Sequence, residues 1–515
     1  MTFPKKTALL LAALVLVVPL SSCDGKDPNK LYVTGPYFTD YEAKDVYNAY
    51  LGSSISTLNS AKSQSATDVR HLANFVDGLV MNNEFGILER QLASSASVNT
   101  EYTQFDFTIK QNIPWFTYDG AQYVAKNTEG QDVPQVVKAD DFVNTAEIIL
   151  NYANESEIAY MVTMFIDGGW EYYCYTEMLK LIKDRNTNYA GINWMTLKSA
   201  SNDAKATALM TLIAYESGMD PIDVPLILGE DLESIANFSR VGVKATSEYG
   251  IQYRLNQPAR FFPTLLTYAP FYPINRAFFS QHKFAGFGTS KEKLLYNGPY
   301  LCSEWSDTKV QYTRNENYYN VEDVHIKTVN YMVAPDTISY AEMREDFESG
   351  VIDGFTIAKE DSVGWAQYIT GGTPEAPGSG TVQNPYSPLV NSRELNTIDY
   401  TWHFTLNVER ETDVSLQPNT IFGGDSPDYP ASAIANTNKA MKIKEVRRLI
   451  LDGIDFEQYN QTNTNTEDIH QYQLNTLTPP GYVFDENDKD YLEYYYEEYA
   501  ENKGLENGEA AKALI

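Results

Sequence analysis

The residues of this 515-residue chain equipped for metal binding or nucleophilic attack are five histidines, at positions 71, 282, 325, 403 and 470, and the cysteines Cys174 and Cys302. Their spacing argues against both chemistries. Zinc and nucleophile sites carry strings such as His-Glu-x-x-His, Cys-x-x-Cys or Gly-x-Ser-x-Gly, and phosphate sites a glycine-rich loop ending in Gly-Lys-Ser/Thr; none of these occurs. Cys302 is followed by Ser303 and Glu304. A glutamate neighbour raises a thiol's pKa, so Cys302 reads as a buried structural residue. The run DENDKDYLEYYYEE, from Asp485, has oxygens suited to calcium, but Asp490 stands where a calcium-binding hand loop requires glycine. It reads as a solvated acidic turn. No catalytic residue, metal ligand or cofactor is expected.

The conspicuous resource is aromatic: 38 Tyr, 23 Phe and 6 Trp. Tyr and Trp join a large apolar face to a polar tip, which suits a cleft that grips varied ligands without altering them. Most of these rings belong to core packing. A cluster at a strand end, such as Tyr400 to Phe404, carries more weight. The segment LLYNGPYLCSEWSDTKVQYTRNENYYN, residues 294–320, poses the same choice between chemistry and scaffold.

Such residues need elements to hold them. DVYNAYLG (45–52) reads as a first strand, followed by the small polar loop SSISTLNSAKSQSAT. In DVRHLANFVDGLV, Val69, Leu72, Phe75, Val76 and Leu79 recur at helical spacing, with a stop near Gly78. YTQFDFTIKQNIPW alternates Phe105, Phe107 and Ile109 with Asp106, Thr108 and Lys110, a half-buried strand. Asp140-Asp141 opens a helix in FVNTAEIILNYAN, and YGIQYRLNQP is a further strand. After the turn Asn297-Gly298-Pro299, KVQYTRNENYY sets Val310 and Tyr312 against Gln311 and Thr313, and VHIKTVNYMVAP is a buried strand. Asp336-Thr337 caps a helix in ISYAEMREDFESG, Gly350 ends it, and VIDGFTI completes a strand, helix, strand unit of a layered α/β domain. Residues 371–396 read as loop, IDYTWHFTLN as a strand, YLEYYYEEYAENKG as a solvent-facing helix. AMKIKEVRRLILDGID reads as one amphipathic helix with Met441, Ile443, Val446 and Ile450 available for packing.

The length supports at least two domains, and 43% hydrophobic residues exclude a disordered chain. A net charge of -30 argues against nucleic acid as a partner. Lys5 and Lys6 precede the apolar run Ala8 to Leu20, the layout of an export signal and too short for a stable membrane span. It ends in Leu20-Ser21-Ser22-Cys23, which resembles the lipobox of bacterial lipoproteins, so residues 1–22 are expected to be cut away and Cys23 to carry the lipid. Residues 23–45 then form a lipidated tether. Cys174 and Cys302 do not make a disulfide framework; they read as small buried residues, with a single bridge as the alternative.

Eight segments in order resemble the extracytoplasmic solute-binding proteins, family 5, of oligopeptide ABC transporters, the Gram-positive lipoprotein type above all. They are TLNSAKSQSATDVRHLANFVDGLV, FTIKQNIPWFTYDG, VKADDFVNTAEIIL, YGIQYRLNQPARFFPTLLTYAPFYPIN, YNGPYLCSEW, VQYTRNENYYN, FESGVIDG and KIKEVRRLILDGID. The resemblance implies an α/β, two-lobed periplasmic-binding-protein-like fold (type II, with an extra subdomain) and a peptide cleft between lobes. Lobe I would comprise 46–76 and 277–400, an accessory subdomain 77–276, and lobe II 401–515. Lobe II would be incomplete at the C-terminus, because family members continue further.

By position, the resemblance assigns ligand contacts to Ser63, Gln64, Ser65 and Ala66, to Phe355, Thr356, Ile357 and Ala358, and to Tyr400, Trp402, His403 and Phe404. It implies a monomer, anchored by lipid to the outer face of the cell membrane, that captures oligopeptides and hands them to an ABC permease with its ATPase subunits. The rivals on the same fold are a peptide-pheromone sensor and a receptor for another solute such as a nickel chelate. A surface adhesin and a secreted hydrolase rank below them.

Overall fold

The computed structural model describes residues 32–35, 38–42, 44–63, 65–83, 87–218, 232–334, 338–382, 384–390, 403–408, 431–456, 458, 459, 489, 491 and 494. The chain gathers into two units, Met1–Asp45 and Val46–Ile515. In the first, β1 (Tyr32–Gly35) and β2 (Phe38–Glu42) pair as an antiparallel hairpin.

The second unit runs β3 (Val46–Leu51), α1 (Ala66–Phe75), the hairpin of β4 (Val80–Asn82) and β5 (Leu88–Arg90), β6 (Ala93–Val98), β7 (Gln104–Ile109) and the hairpin of β8 (Val124–Lys126) and β9 (Asp132–Pro134). The helices α2 (Ala139–Ile149), α3 (Ala159–Thr163), α4 (Gly169–Asp184) and α5 (Asn202–Ser217) follow, then β10 (Val243–Ser247), β11 (Gly250–Arg254), β12 (Tyr300–Trp305), β13 (Lys309–Arg314) and β14 (Thr328–Val333). One four-stranded sheet has the order β12-β13-β14-β3, antiparallel except that β14 and β3 are parallel. The other, β10-β11-β7-β6, is antiparallel throughout.

Period decided which side chains went inward. Phe105, Phe107 and Ile109 on β7, and Val310 and Tyr312 on β13, are buried as their alternation requires. The principal core joins both sheets, with α1 contributing Leu72 and Phe75 and α2 contributing Phe142 and Ile149. A smaller core of Cys174, Met178, Trp194, Leu209, Leu212 and Ile213 binds α4 to α5. α1 begins where Ser65 caps it and ends at Phe75, short of Gly78.

Four expectations need correction. The helix Tyr340–Glu348 is capped by Ser339 rather than from the expected Asp336-Thr337, which lie outside the described residues: Ser339 Oγ accepts from Glu342 N–H and the Glu342 carboxylate accepts from Ser339 N–H, a reciprocal box. VIDGFTI is not a strand. Asp353 N–H donates to Asn48 O at 2.8 Å, but the Asp353 side chain, rather than its carbonyl, accepts the Asn48 N–H. Gly354 follows and has no side chain to pack, so no ladder grows. AMKIKEVRRLILDGID is broken into Ala431–Met441 and Lys444–Asp452. Ile443 between them is extended, and Arg447 Nη1 donates to Met441 O at 2.6 Å, capping the first helix. Ile443 and Ile450 stay 50% and 40% exposed, so the packing face expected there is not buried among the described residues. Finally, residues 403–407 of IDYTWHFTLN are not in a strand; its residues 398–402 lie outside the described ones, as do Cys23 and nearly all of 485–515.

Candidate functional site

β3 sits at the edge of its sheet and leads into the loop 52–65, and the Asp68 carboxylate shapes that loop. Ser56 N–H and Oγ–H donate to it at 2.9 and 2.6 Å, and Ser63 Oγ–H at 2.9 Å. Ser63 is therefore turned inward and buried, and it also accepts the Ser65 N–H. Ser65 and Ala66 face solvent at the start of α1; Gln64 lies outside the described residues. From the other side, Ser156 Oγ–H donates to Ala61 O and Glu157 N–H to Lys62 O, tying the loop to the segment ahead of α3.

The segment 354–358 is held differently. Ala358 is fully buried, and Phe355 is half-buried with its ring 5.2 Å from Phe347 and 5.8 Å from Tyr368. Thr356 is exposed and Ile357 intermediate. Of the third group, Tyr400 and Trp402 are outside the described residues. His403 is exposed, and Phe404 packs on Phe456 and Tyr459 while remaining 47% exposed. The first group lies in the loop that leaves β3 and at the start of α1, and the second follows Asp353, which bonds to Asn48 on β3. Each contains at least one residue, Ser63 or Ala358, that faces the interior.

The residues that position these segments, Asp68, Asn48 and Asp353, were not among the candidates. Asp68 had a signal, because Ser65-x-x-Asp68 is the spacing of a helix cap. The Asn48–Asp353 pair is 305 positions apart and had none.

Asn297-Gly298-Pro299 is scaffold. Asn297 and Gly298 N–H groups donate to Phe75 O at the end of α1, and Asn297 Oδ1 accepts from Asp77 N–H at 2.7 Å. Cys174 and Cys302 are fully buried and free, so the single-bridge alternative falls. Burial pushes the Cys302 thiol up to about 12 and Cys174 up as well. His71 is buried edge-on to Tyr312 and Tyr331, and burial pushes its imidazole down to about 4, a neutral core histidine. Among the described residues no group of three metal-ligating side chains assembles, and no helix is long and apolar enough to cross a membrane.

The sequence has known relatives. The oligopeptide-binding protein AliA of Streptococcus pneumoniae is 25% identical over 475 residues, 88% of this chain and 56% of its own. The oligopeptide-binding protein SarA of Streptococcus gordonii is 24% identical over 489 residues, 92% and 58% respectively. This chain therefore spans little more than half the length of these relatives. A solved structure of an oligopeptide ABC transporter substrate-binding domain from Bacillus anthracis aligns with a TM-score of 0.49 at 17% identity, covering 88% of this chain and 63% of that one. The pattern of the bacterial extracellular solute-binding proteins, family 5 Middle, matches residues 88–515, and the chain belongs to that family.

Proposed function

We propose that this protein is the extracytoplasmic oligopeptide receptor of an ABC importer, and that it binds its ligand without making or breaking a bond. The family match over residues 88–515 carries the reading, and the relatives AliA and SarA are both described as oligopeptide-binding proteins. The mechanism is closure of two lobes on an extended peptide, with lobe I from 46–76 and 277–400, an accessory subdomain from 77–276 and lobe II from 401 onward. Main-chain groups of the exposed 65–66 segment and of the partly exposed 356–357 segment would bond the peptide backbone, which gives affinity without dictating side chains. Tyr400, Trp402, His403 and Phe404 would approach from the segment leading into lobe II.

In the same reading, residues 1–22 direct export, Cys23 carries a lipid that keeps the receptor at the cell membrane, and the partners are a permease and its ATPases. The net charge of -30 favours cationic or neutral peptides over acidic ones. Native mass spectrometry after purification from a peptide-rich medium tests the core of the proposal: a ladder of co-purified peptides is expected. A protein that is empty, and stays empty with added peptides, rules the reading out. Equal affinity for Lys-rich and Glu-rich peptides at low salt would remove the charge preference alone.

A further inference from the structure

Among the described residues β3 is an edge strand, and that edge is closed at one point by a side chain. Asn48 N–H donates to Asp353 Oδ2 at 2.7 Å, Asn48 Nδ2–H donates to the same oxygen at 3.1 Å, and Asp353 N–H returns a bond to Asn48 O at 2.8 Å. This is the two-way exchange of a hydrogen-bonded β pair, with a carboxylate standing in for one carbonyl.

The carboxylate also ends a row that crosses the whole sheet. Ser303 Oγ–H is shared between Gln311 O and Gln311 Oε1 (3.1 Å each), and from there Gln311 Nε2–H donates to Asn330 Oδ1 (2.7 Å), Asn330 Nδ2–H to Asn48 Oδ1 (2.9 Å), and Asn48 to Asp353. The register makes Gln311, Asn330 and Asn48 cross-strand neighbours on one face, and all are half-buried. The three amide donors of the row all point toward Asp353. An ionised carboxylate only accepts, so it imposes one direction on three amides that could otherwise flip, and aligned bonds of this kind reinforce one another. Tyr50, two residues on along β3, donates its hydroxyl to Asp346 Oδ2 at 2.7 Å, a second tie between this strand and the chain around Asp353.

We propose that Asp353 is a positioning residue for the peptide site: through Asn48 it sets the segment 354–358 against the strand from which the loop 52–65 departs, so that both ligand-facing segments share one anchor. This deepens the peptide-receptor reading and rests on it. Asp353 touches no ligand in this scheme; it acts through the backbone it holds.

The test compares Asp353→Ala and Asp353→Asn with the unaltered full chain. Affinity for the synthetic hexapeptide Lys-Ala-Leu-Ala-Phe-Ala is measured by calorimetry, amide exchange by mass spectrometry without peptide, and thermal melting as the check on folding. Losing bonds to a charged acceptor predicts, for Asp353→Ala, affinity lower by about tenfold and faster exchange at Asn48 and 354–358, with a melting point close to that of the unaltered chain. Asp353→Asn keeps one oxygen for Asn48 and is expected to recover most of both losses. Unchanged affinity or unchanged exchange in Asp353→Ala overturns the inference while the receptor reading stands. If Asp353→Ala does not fold, an Asp353→Asn chain no better in affinity than Asn48→Ala overturns it. An unaltered chain that binds neither this hexapeptide nor any peptide of a mixed pool overturns the receptor reading, and the inference with it.

Discussion

Tyr319 donates its hydroxyl to the buried Asp77 Oδ2 at 2.8 Å, and Tyr318 does the same at 2.9 Å, so two consecutive tyrosines share one carboxylate oxygen. Gln91 Nε2–H donates to the other oxygen at 2.7 Å, and Lys110 Nζ lies 4.4 Å from the centre of the Tyr319 ring. Burial pushes the Asp77 carboxyl from 3.8 up to about 7, against the pull of both hydroxyls and of Lys110. In the unfolded chain Asp77 ionises near 3.8, whereas in the folded chain it holds its proton until about 7. The folded state therefore binds more protons in that window, and the stability this group contributes is full below pH 3.8 and lost as pH rises through 7. Asp77→Asn does not titrate. Urea unfolding is expected to show the natural chain losing roughly 2–4 kcal/mol relative to Asp77→Asn between pH 4 and pH 8. Parallel pH profiles for the two would show that Asp77 is ionised throughout.

Gly298 lies against the end of α1, where an added Cβ would stand 2.8 Å from the Phe75 carbonyl carbon and 3.1 Å from Asn74 O. Both are backbone atoms and cannot rotate away. Gly298→Ala is expected to cost about 1–3 kcal/mol in chemical denaturation. An equally stable variant would mean that the junction of α1 with β12 yields more readily than its packing indicates.

Arg344 and Asp361 form an ion pair at 2.7 Å with side chains only 10% and 6% exposed. Removing one partner strands the other's charge, so Arg344→Ala is expected to destabilise by about 3–5 kcal/mol, and the double change Arg344→Met/Asp361→Leu by much less. Faster amide exchange should be concentrated at 340–370. Additive single and double variants would argue that the two charges are solvated independently.

Cys174 and Cys302 are fully buried and their thiols are pushed upward by burial. In a chain carrying Cys23→Ser, a thiol-reactive dye is expected to label neither residue until denaturant is added, and then both. Rapid labelling in the native state would place at least one of them at the surface.

The amino-acid sequence by itself determined the local elements and their inward faces. Phe105, Phe107 and Ile109 alternate, and α1 repeats its apolar residues at helical intervals, because those periods are properties of short stretches of chain. The succession of eight segments likewise pointed to the family. Tertiary structure alone decided what the described candidate site residues face. Ser63 looks like a free loop hydroxyl until Asp68 is seen to claim it, and Ala358, a candidate ligand contact by position, is fully buried. VIDGFTI has strand composition, but whether it joins a ladder depends on the edge it meets. At Asn48 it met a strand that accepted one main-chain bond and one carboxylate. A contact between residues 305 positions apart leaves no local period behind, since its energy is gained only when the sheet brings them together.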